Sequence, residues 1–406
     1  MLGYRRKSFK RAHAALREVA KSPTDALRVL ACQRILLEEI VRAEGRIRQL
    51  KIELRHCRVE LKNGRSGRAH SQKLKTRIRW LNTRIDACQH LNYVWRCLGD
   101  GIAFSGLDKY AIKQTFYQTG SYDVKQPSGF LSGKAGLANE LRCVEEVTSR
   151  GFPCIQTDLT NSVRHGDVCI LTGGDPYLLE VKTSERQNER GMRQIDEITK
   201  LHSFFESDVA TNLRGAPEIR RVASIVQERS YTDEMNACIE QAEGSGLCVV
   251  SPECGLYYVA IYGSTISLDE VFSKMDLGRP QVFLLNTFKT ERAWAPYQPF
   301  TLSIYQEHHL YDFIKGELVL IVVLNVDDFC RQFAKYGIVA TFEFGDTYPL
   351  TLTSSTTGFS PKVSEHYLSR IGLEFVAPSW IVEDQAHHSR NDQQLASLRQ
   401  KDELGN

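Results

Sequence analysis

The sequence predicts an α/β protein in three parts: an antiparallel coiled-coil helical hairpin, a central α/β region, and a C-terminal mixed or β-rich region. Three observations predict it. Apolar residues recur at heptad spacing between residues 40 and 95. Short apolar runs bounded by turn residues follow from residue 154 onward. The charge is also divided: residues 1–100 carry 24 Lys and Arg against 9 Asp and Glu, and the remaining 306 carry 28 against 40, a split the overall +3 conceals. An N-terminal part at net +15 predicts a polyanionic partner for it.

Ser22-Pro23-Thr24-Asp25 reads as a helix start, with a capping serine, proline at the first helical position and an acid in the first turn. The helix is expected to run to Asn63-Gly64. Along it Ile40, Ile47, Leu54 and Leu61 recur every seven residues, with Ala43, Leu50 and Cys57 between. After the turn NGRSG at 63–67, Leu74, Ile78, Leu81, Ile85, Cys88, Asn92 and Trp95 continue the same spacing. Two heptad helices joined by a short turn make an antiparallel coiled coil. Its outer faces from Arg46 to Asp86 carry 13 Lys and Arg against Glu53, Glu60 and Asp86. A solvated spacer or oligomerisation seam would mix both signs, so contact with a phosphate backbone is the favoured reading, and the two roles are compatible.

Residues 99–132 form a Gly-rich connector without phosphate-loop spacing. Residues 133–150 read as a helix through Leu137, Leu141 and Val144, ended by Gly151. Strands are expected at 154–157, around Asp167, and around Glu180. A helix at 189–206, a strand at 222–226, a helix at 233–243 and strands at 247–250 and 256–262 follow. Apolar runs at 282–285, 318–324 and 338–342 mark the last region. The expected boundaries are thus 1–98, 99–132, 133–265, 266–382, and a polar disordered tail at 383–406.

The most telling stretch is 166–184, GDVCILTGGDPYLLEVKTS. It reads as two apolar strands turning at Gly173-Gly174-Asp175-Pro176. Residues two apart on a strand share a face, so Glu180 and Lys182 should point together, and strand pairing brings Asp167 beside Glu180. Two carboxylates and an ammonium at the end of an apolar sheet are costly unless a cation or a reaction uses them. A bare acid-x-Lys spacing says little, since Glu60/Lys62 and Asp123/Lys125 also match it. Neither of those lies in a recognisable strand.

A helix with Glu140, a strand with Asp167, a strand with Glu180-Val181-Lys182 and a following helix together resemble the PD-(D/E)xK, or restriction-endonuclease-like, nuclease superfamily over roughly residues 130–265. The resemblance implies a four-stranded mixed sheet flanked by helices and Mg²⁺-dependent phosphodiester hydrolysis, with Mn²⁺ also serving. By the same resemblance Asp167 and Glu180 bind the metal with the Val181 carbonyl, Lys182 is the catalytic lysine, Glu140 is the acid of the first helix, and Gln194 is a glutamine of the next. The proline of the motif's name is missing, since Val163-Arg164-His165-Gly166 precede Asp167. The expectation is a Mg²⁺-dependent nuclease acting on double-stranded DNA gripped by the basic hairpin, in a restriction-like or antiviral defence role. The alternative is a non-catalytic nucleic-acid-binding or oligomeric scaffold that carries a nuclease-like domain, the coiled coil then joining copies of the chain. His165, His308-His309 and His387-His388 are expected to be loop or surface histidines.

The longest apolar run, 318–324, is far too short to span a membrane, and no secretory signal is apparent. Eleven scattered cysteines without a CxxC pair predict reduced thiols, hence a cytoplasmic protein.

Overall fold

The structure, a computed structural model, describes residues 5–63, 67–182, 189–263, 267–273, 275–354 and 360–389. The chain is mixed α/β and divides into two compact units, Met1–Arg221 with Trp294–Leu302, and Val222–Ala293 with Ser303–Asn406.

The first unit begins with a helix that the sequence reading did not anticipate, α1 (Arg6–Lys21), which buries Phe9, Leu16 and Val19 against its neighbours. The long helix α2 (Ala26–Lys62) starts later than expected. Asp25, not Ser22, is its cap, accepting from the Leu27 and Arg28 amides at 3.1 Å each, whereas Ser22 closes α1. Its partner is α3 (Arg68–Gly106). The pairs Glu60–His70 and Glu53–Arg77 show the antiparallel course, because positions descending α2 meet positions ascending α3. Ile47, Leu50 and Leu54 pack with Leu81, Ile85 and Cys88, so the heptad seam is filled within the hairpin itself.

The hairpin does not end at residue 98. Helix α3 continues through Gly99 and Gly101, and the glycine at 99 has a steric cause. A Cβ there would lie 1.9 Å from the Leu159 carbonyl oxygen, so only glycine lets the helix approach the 157–159 turn. Beside it, buried Asp100 accepts from the Asn161 and Ser162 amides at 2.8 Å each. A short helix, α4 (Lys109–Gln114), follows.

Helix α5 (Leu137–Ser149) leads into three short strands, β1 (Cys154–Gln156), β2 (Val168–Ile170) and β3 (Tyr177–Leu179), and then α6 (Glu189–Ser207). The strands form an antiparallel sheet in the order β1-β2-β3. The expected fourth strand at 222–226 is not formed, so the sheet is antiparallel rather than mixed. The reason lies in the edges. The Gln33 side chain of α2 donates to the Cys154 carbonyl at 2.9 Å and accepts from the Gln156 amide at 3.2 Å, occupying the free edge of β1. On the other edge the Leu178 amide donates to His202 Nε2 of α6 at 3.0 Å. Burial lowers the pKa of His202, which keeps its ring a neutral acceptor. Helix side chains thus satisfy both edges that a further strand would use. A separate hairpin, β4 (Val209–Thr211) and β5 (Glu218–Arg220), closes the unit.

In the second unit α7 (Thr232–Ser245) packs on β6 (Leu247–Glu253) and β7 (Leu256–Tyr262). With β8 (Pro280–Leu284) and β9 (Leu318–Asn325) these form a sheet in the order β6-β7-β9-β8, antiparallel throughout. The apolar run of β9 is one of its two central strands. The strands at 247–262 therefore belong here and not to the sheet of the first unit, and the division falls after residue 221 rather than near 265. A smaller sheet joins β10 (Ile338–Phe342), β11 (Leu350–Ser354) and β12 (Lys362–Val363). The expected tail is helical over 378–389, with Asp384 buried between Ser224 (2.6 Å) and Tyr367 (2.7 Å); residues 390–406 lie outside the described residues. No described helix is long and apolar enough to cross a membrane.

Replacing Gln33 with leucine should strip the β1 edge of both partners and cost roughly 2–4 kcal/mol in denaturant unfolding, whereas Leu27→Ala, on the exposed face of the same helix, should change stability by less than about 0.5 kcal/mol.

Candidate cation and nucleic-acid site

The acids meet at one end of the small sheet because of how its strands begin and end. Val168 pairs with Leu179, so the next position outward sets Asp167 opposite Glu180. The Asp167 amide donates to the Leu179 carbonyl at 2.7 Å, and the Val181 amide donates to Asp167 Oδ2 at 2.9 Å. Gly166 makes this closure possible. Its φ is +72°, and a Cβ would lie 2.9 Å from the Leu179 oxygen. Strand β3 ends at Leu179, so Glu180 and Lys182 lie just beyond it rather than within it.

Glu140 stands in the first turn of α5, where the helix dipole favours an anion. It is buried, and Gln156 Nε2 donates to its Oε2 at 2.7 Å. Its Oε1 lies 2.8 Å from Lys134 Nζ, and the same ammonium reaches Asp158 at 3.0 Å and Asp167 at 3.2 Å. Burial works against the charge of Lys134, but hydrogen bonding to Glu140 and the charges of Asp158 and Asp167 outweigh it and raise its pKa. Glu180 is half-buried at the rim of this group, and its Oε2 is buried without a partner. Burial, reinforced by the charge of Asp167, pushes its pKa up to about 7 despite the opposing Lys134 and Lys125. Glu140 is raised as well, by burial first.

The hairpin helices hold this arrangement from behind. Buried Glu44 of α2 accepts from the Leu131 and Ser132 amides at 3.1 and 2.8 Å, anchoring the loop that delivers Lys134. Arg96 of α3 donates to the carbonyls of Asp158 and Gly129 at 3.0 Å each.

Of the residues singled out from sequence, Glu140, Asp167 and Glu180 are brought together with the Val181 backbone beside them. Lys182 is exposed and makes no ion pair with these acids. Gln194 is half-buried on α6 and makes no hydrogen bond to them. Lys134, Asp158 and Gln156 were missed. The one available signal was Asp158 just past β1, at the sheet end where Asp167 opens β2. Lys125, set aside as a chance match, acts electrostatically on Glu180 and bonds Glu197 at 2.5 Å. His165 lies in the loop before β2, as expected, and is buried there. Its Nε2 meets the Tyr117 carbonyl at 3.0 Å, and its Nδ1 lies 3.3 Å from Glu197 Oε2. The hydrogen bond from His165, aided by Lys125, holds the Glu197 pKa down at about 2.

These donors suit a hard divalent cation. All are carboxylate oxygens, Glu180 Oε2 is orphaned, and one ammonium stands among four acids. Lys134 bridges three of the carboxylates, and the one group of metal-ligating atoms converging within 4.8 Å among the described residues is elsewhere, at Glu243, His308 and His309. That is no obstacle for Mg²⁺, which takes one or two carboxylates and keeps several waters.

Farther out, the hairpin carries its positive charge. Arg46, Arg48, Lys51, Arg55, Arg58, Lys62, Arg68, Lys73, Lys75, Arg77 and Arg79 are exposed. Among them Trp80 is 41 % exposed, with the Arg77 guanidinium 4.1 Å and that of Arg84 5.6 Å from its ring centre. An exposed indole amid cations offers a surface on which a base can stack.

No protein-family model, curated protein or solved structure matches this chain.

The pH dependence of the cation-free protein follows from Glu180. Its folded pKa lies above the unfolded value of 4.5, so the folded chain binds this proton more tightly. That stabilisation is complete below about pH 4.5, declines as pH rises toward 7, and is gone above it. Urea melts in EDTA should show a decline of about 2 kcal/mol across this window, the roughly 3 kcal/mol of the full shift being reduced by solvent screening of a partly exposed carboxyl, and Glu180→Gln should abolish it.

Proposed function

We propose that the chain is a Mg²⁺-dependent nuclease of the restriction-endonuclease-like kind, in which the acids at the end of the β1-β2-β3 sheet hold the cation and the basic hairpin holds DNA. The observation that carries this is Glu180 Oε2, a buried carboxylate oxygen without a partner in a group of four acids served by one ammonium. An evolved fold keeps such a deficit where a cation or a reaction uses it. The order helix, three strands, helix, with Asp167 before the second strand and Glu180 after the third, agrees with the reading.

Asp167 and Glu180 would hold the ion with the Val181 backbone, and Glu140 would back them. Bound there, the ion supplies positive charge to the scissile phosphate and lowers the pKa of a coordinated water. Glu180 must be ionised to hold the ion, so its raised pKa makes cation binding weaken as the pH falls below about 7. Lys182, exposed two residues beyond it, is able to donate to a phosphate oxygen and offset the charge that develops there. The hairpin surface neutralises backbone phosphates, which makes affinity fall steeply with salt.

The exposure of Lys182 also favours a second reading, in which the acids bind a cation and the hairpin binds nucleic acid without hydrolysis. One assay separates the two. Purified chain should cut plasmid DNA with Mg²⁺ or Mn²⁺, with cleavage lost in EDTA and reduced at least about 100-fold in Asp167→Asn and Lys182→Ala. Cleavage unchanged by EDTA and by both substitutions would refute the site. Salt-sensitive DNA binding with no cleavage would support the scaffold.

A further inference from the structure

Two histidines expected on the surface prove to be built into a second cluster, in the other unit. Glu243 lies in the last turn of α7. His308 and His309 stand in the first turn of the helix Glu307–Lys315. The Nε2 of His309 is 3.1 Å from Glu243 Oε2, and the Nε2 of His308 is 3.5 Å from the same oxygen. The two rings are 4.0 Å apart. Neighbouring residues on a helix diverge by about 100°, yet both rings turn one nitrogen toward a single carboxylate oxygen.

A hydrogen-bonded core histidine would look different. His165 in the first unit is that case, with both nitrogens engaged. His309 is as deeply buried, at 1 % exposure, but its Nδ1 has no partner. The nearby Tyr262 hydroxyl is also buried without one. One carboxylate oxygen can accept both hydrogen bonds, but hydrogen bonding alone gives no reason for two adjacent imidazoles to converge on it.

Metal ligation does account for it. Zn²⁺ binds imidazole nitrogen at about 2.0–2.1 Å and carboxylate oxygen at about 2.0–2.2 Å. Tetrahedral ligands at those lengths are separated by roughly 3.3 Å, between the 3.1 and 3.5 Å that separate Glu243 from the two histidines. We infer that Glu243, His308 and His309 form a binding site for Zn²⁺ or a similar first-row divalent ion. The donor set, two imidazoles and one carboxylate, suits such an ion and not Mg²⁺. Glu243 and His308 are half exposed, which leaves a coordination position open to water. The ion would tie the end of α7 to the start of the later helix.

The site is independent of the acids around Lys134, so the test removes those first. In full-length protein carrying Asp167→Asn and Glu180→Gln, titration with Co²⁺ should show one bound equivalent with the visible absorption of a four-coordinate ion, displaced by Zn²⁺. Adding His308→Ala or Glu243→Gln, at partly exposed and exposed positions respectively, should weaken Co²⁺ affinity at least tenfold while the circular dichroism spectrum is unchanged. Adding Glu240→Gln, at an exposed acid on the same helix, should leave affinity unaltered. Absence of Co²⁺ and Zn²⁺ binding in the parent, or binding that both substitutions leave intact, would overturn the assignment.

Discussion

A single ammonium group among carboxylates constrains the first unit more than any other contact. Lys134 Nζ touches Glu140, Asp158 and Asp167, each from a different segment, while Glu180 stands beside them unsatisfied. One positive charge cannot balance four negative ones, and burying the excess costs several kcal/mol per unpaired ion. The rest of the unit resists the repulsion. Glu44 pins the Lys134 loop, Arg96 pins the Asp158 turn, Gln156 holds Glu140, and the Val181 amide holds Asp167. At the open end, burial first and the charge of Asp167 second raise the pKa of Glu180.

This architecture gives the long hairpin two roles divided along its length. Near its base α2 and α3 are part of the site: Gln33 closes the β1 edge, Asp100 caps the 161–162 turn, and Gly99 admits the Leu159 carbonyl. Farther out the seam is apolar and the faces are basic, with Trp80 exposed among arginines. The positive charge of the described hairpin residues therefore belongs to the same unit as the acids.

Period and chemistry made the hairpin legible from sequence. Heptad spacing located Ile47, Leu54, Leu81 and Ile85, and the alternation around a Gly-Gly-Asp-Pro turn located β2 and β3 with Asp167 and Glu180 at their ends. What was not legible depends on contacts between distant segments. Nothing local marks Lys134 as the partner of three acids, or Gln33 and His202 as stand-ins for a neighbouring strand, and this is why a fourth strand was expected at 222–226. The helix cap was misplaced by three residues because Ser22 and Asp25 are both good caps, and the preceding helix α1 decided between them by using Ser22 as its own end. His309 went unrecognised because its carboxylate comes from α7, far back in the chain. For His388 the partner was in reach, Asp384 one turn earlier.

The central claim is that the acids around Lys134 are a cation site. The most direct measurement is Mn²⁺ binding by electron paramagnetic resonance to the wild type and to Lys134→Met at pH 8. If the ammonium stands in for a divalent ion, removing it should destabilise the cation-free protein and yet tighten Mn²⁺ binding by roughly tenfold or more. If Lys134→Met leaves Mn²⁺ affinity unchanged or weakens it, the cluster is a salt-bridge network and not a cation site.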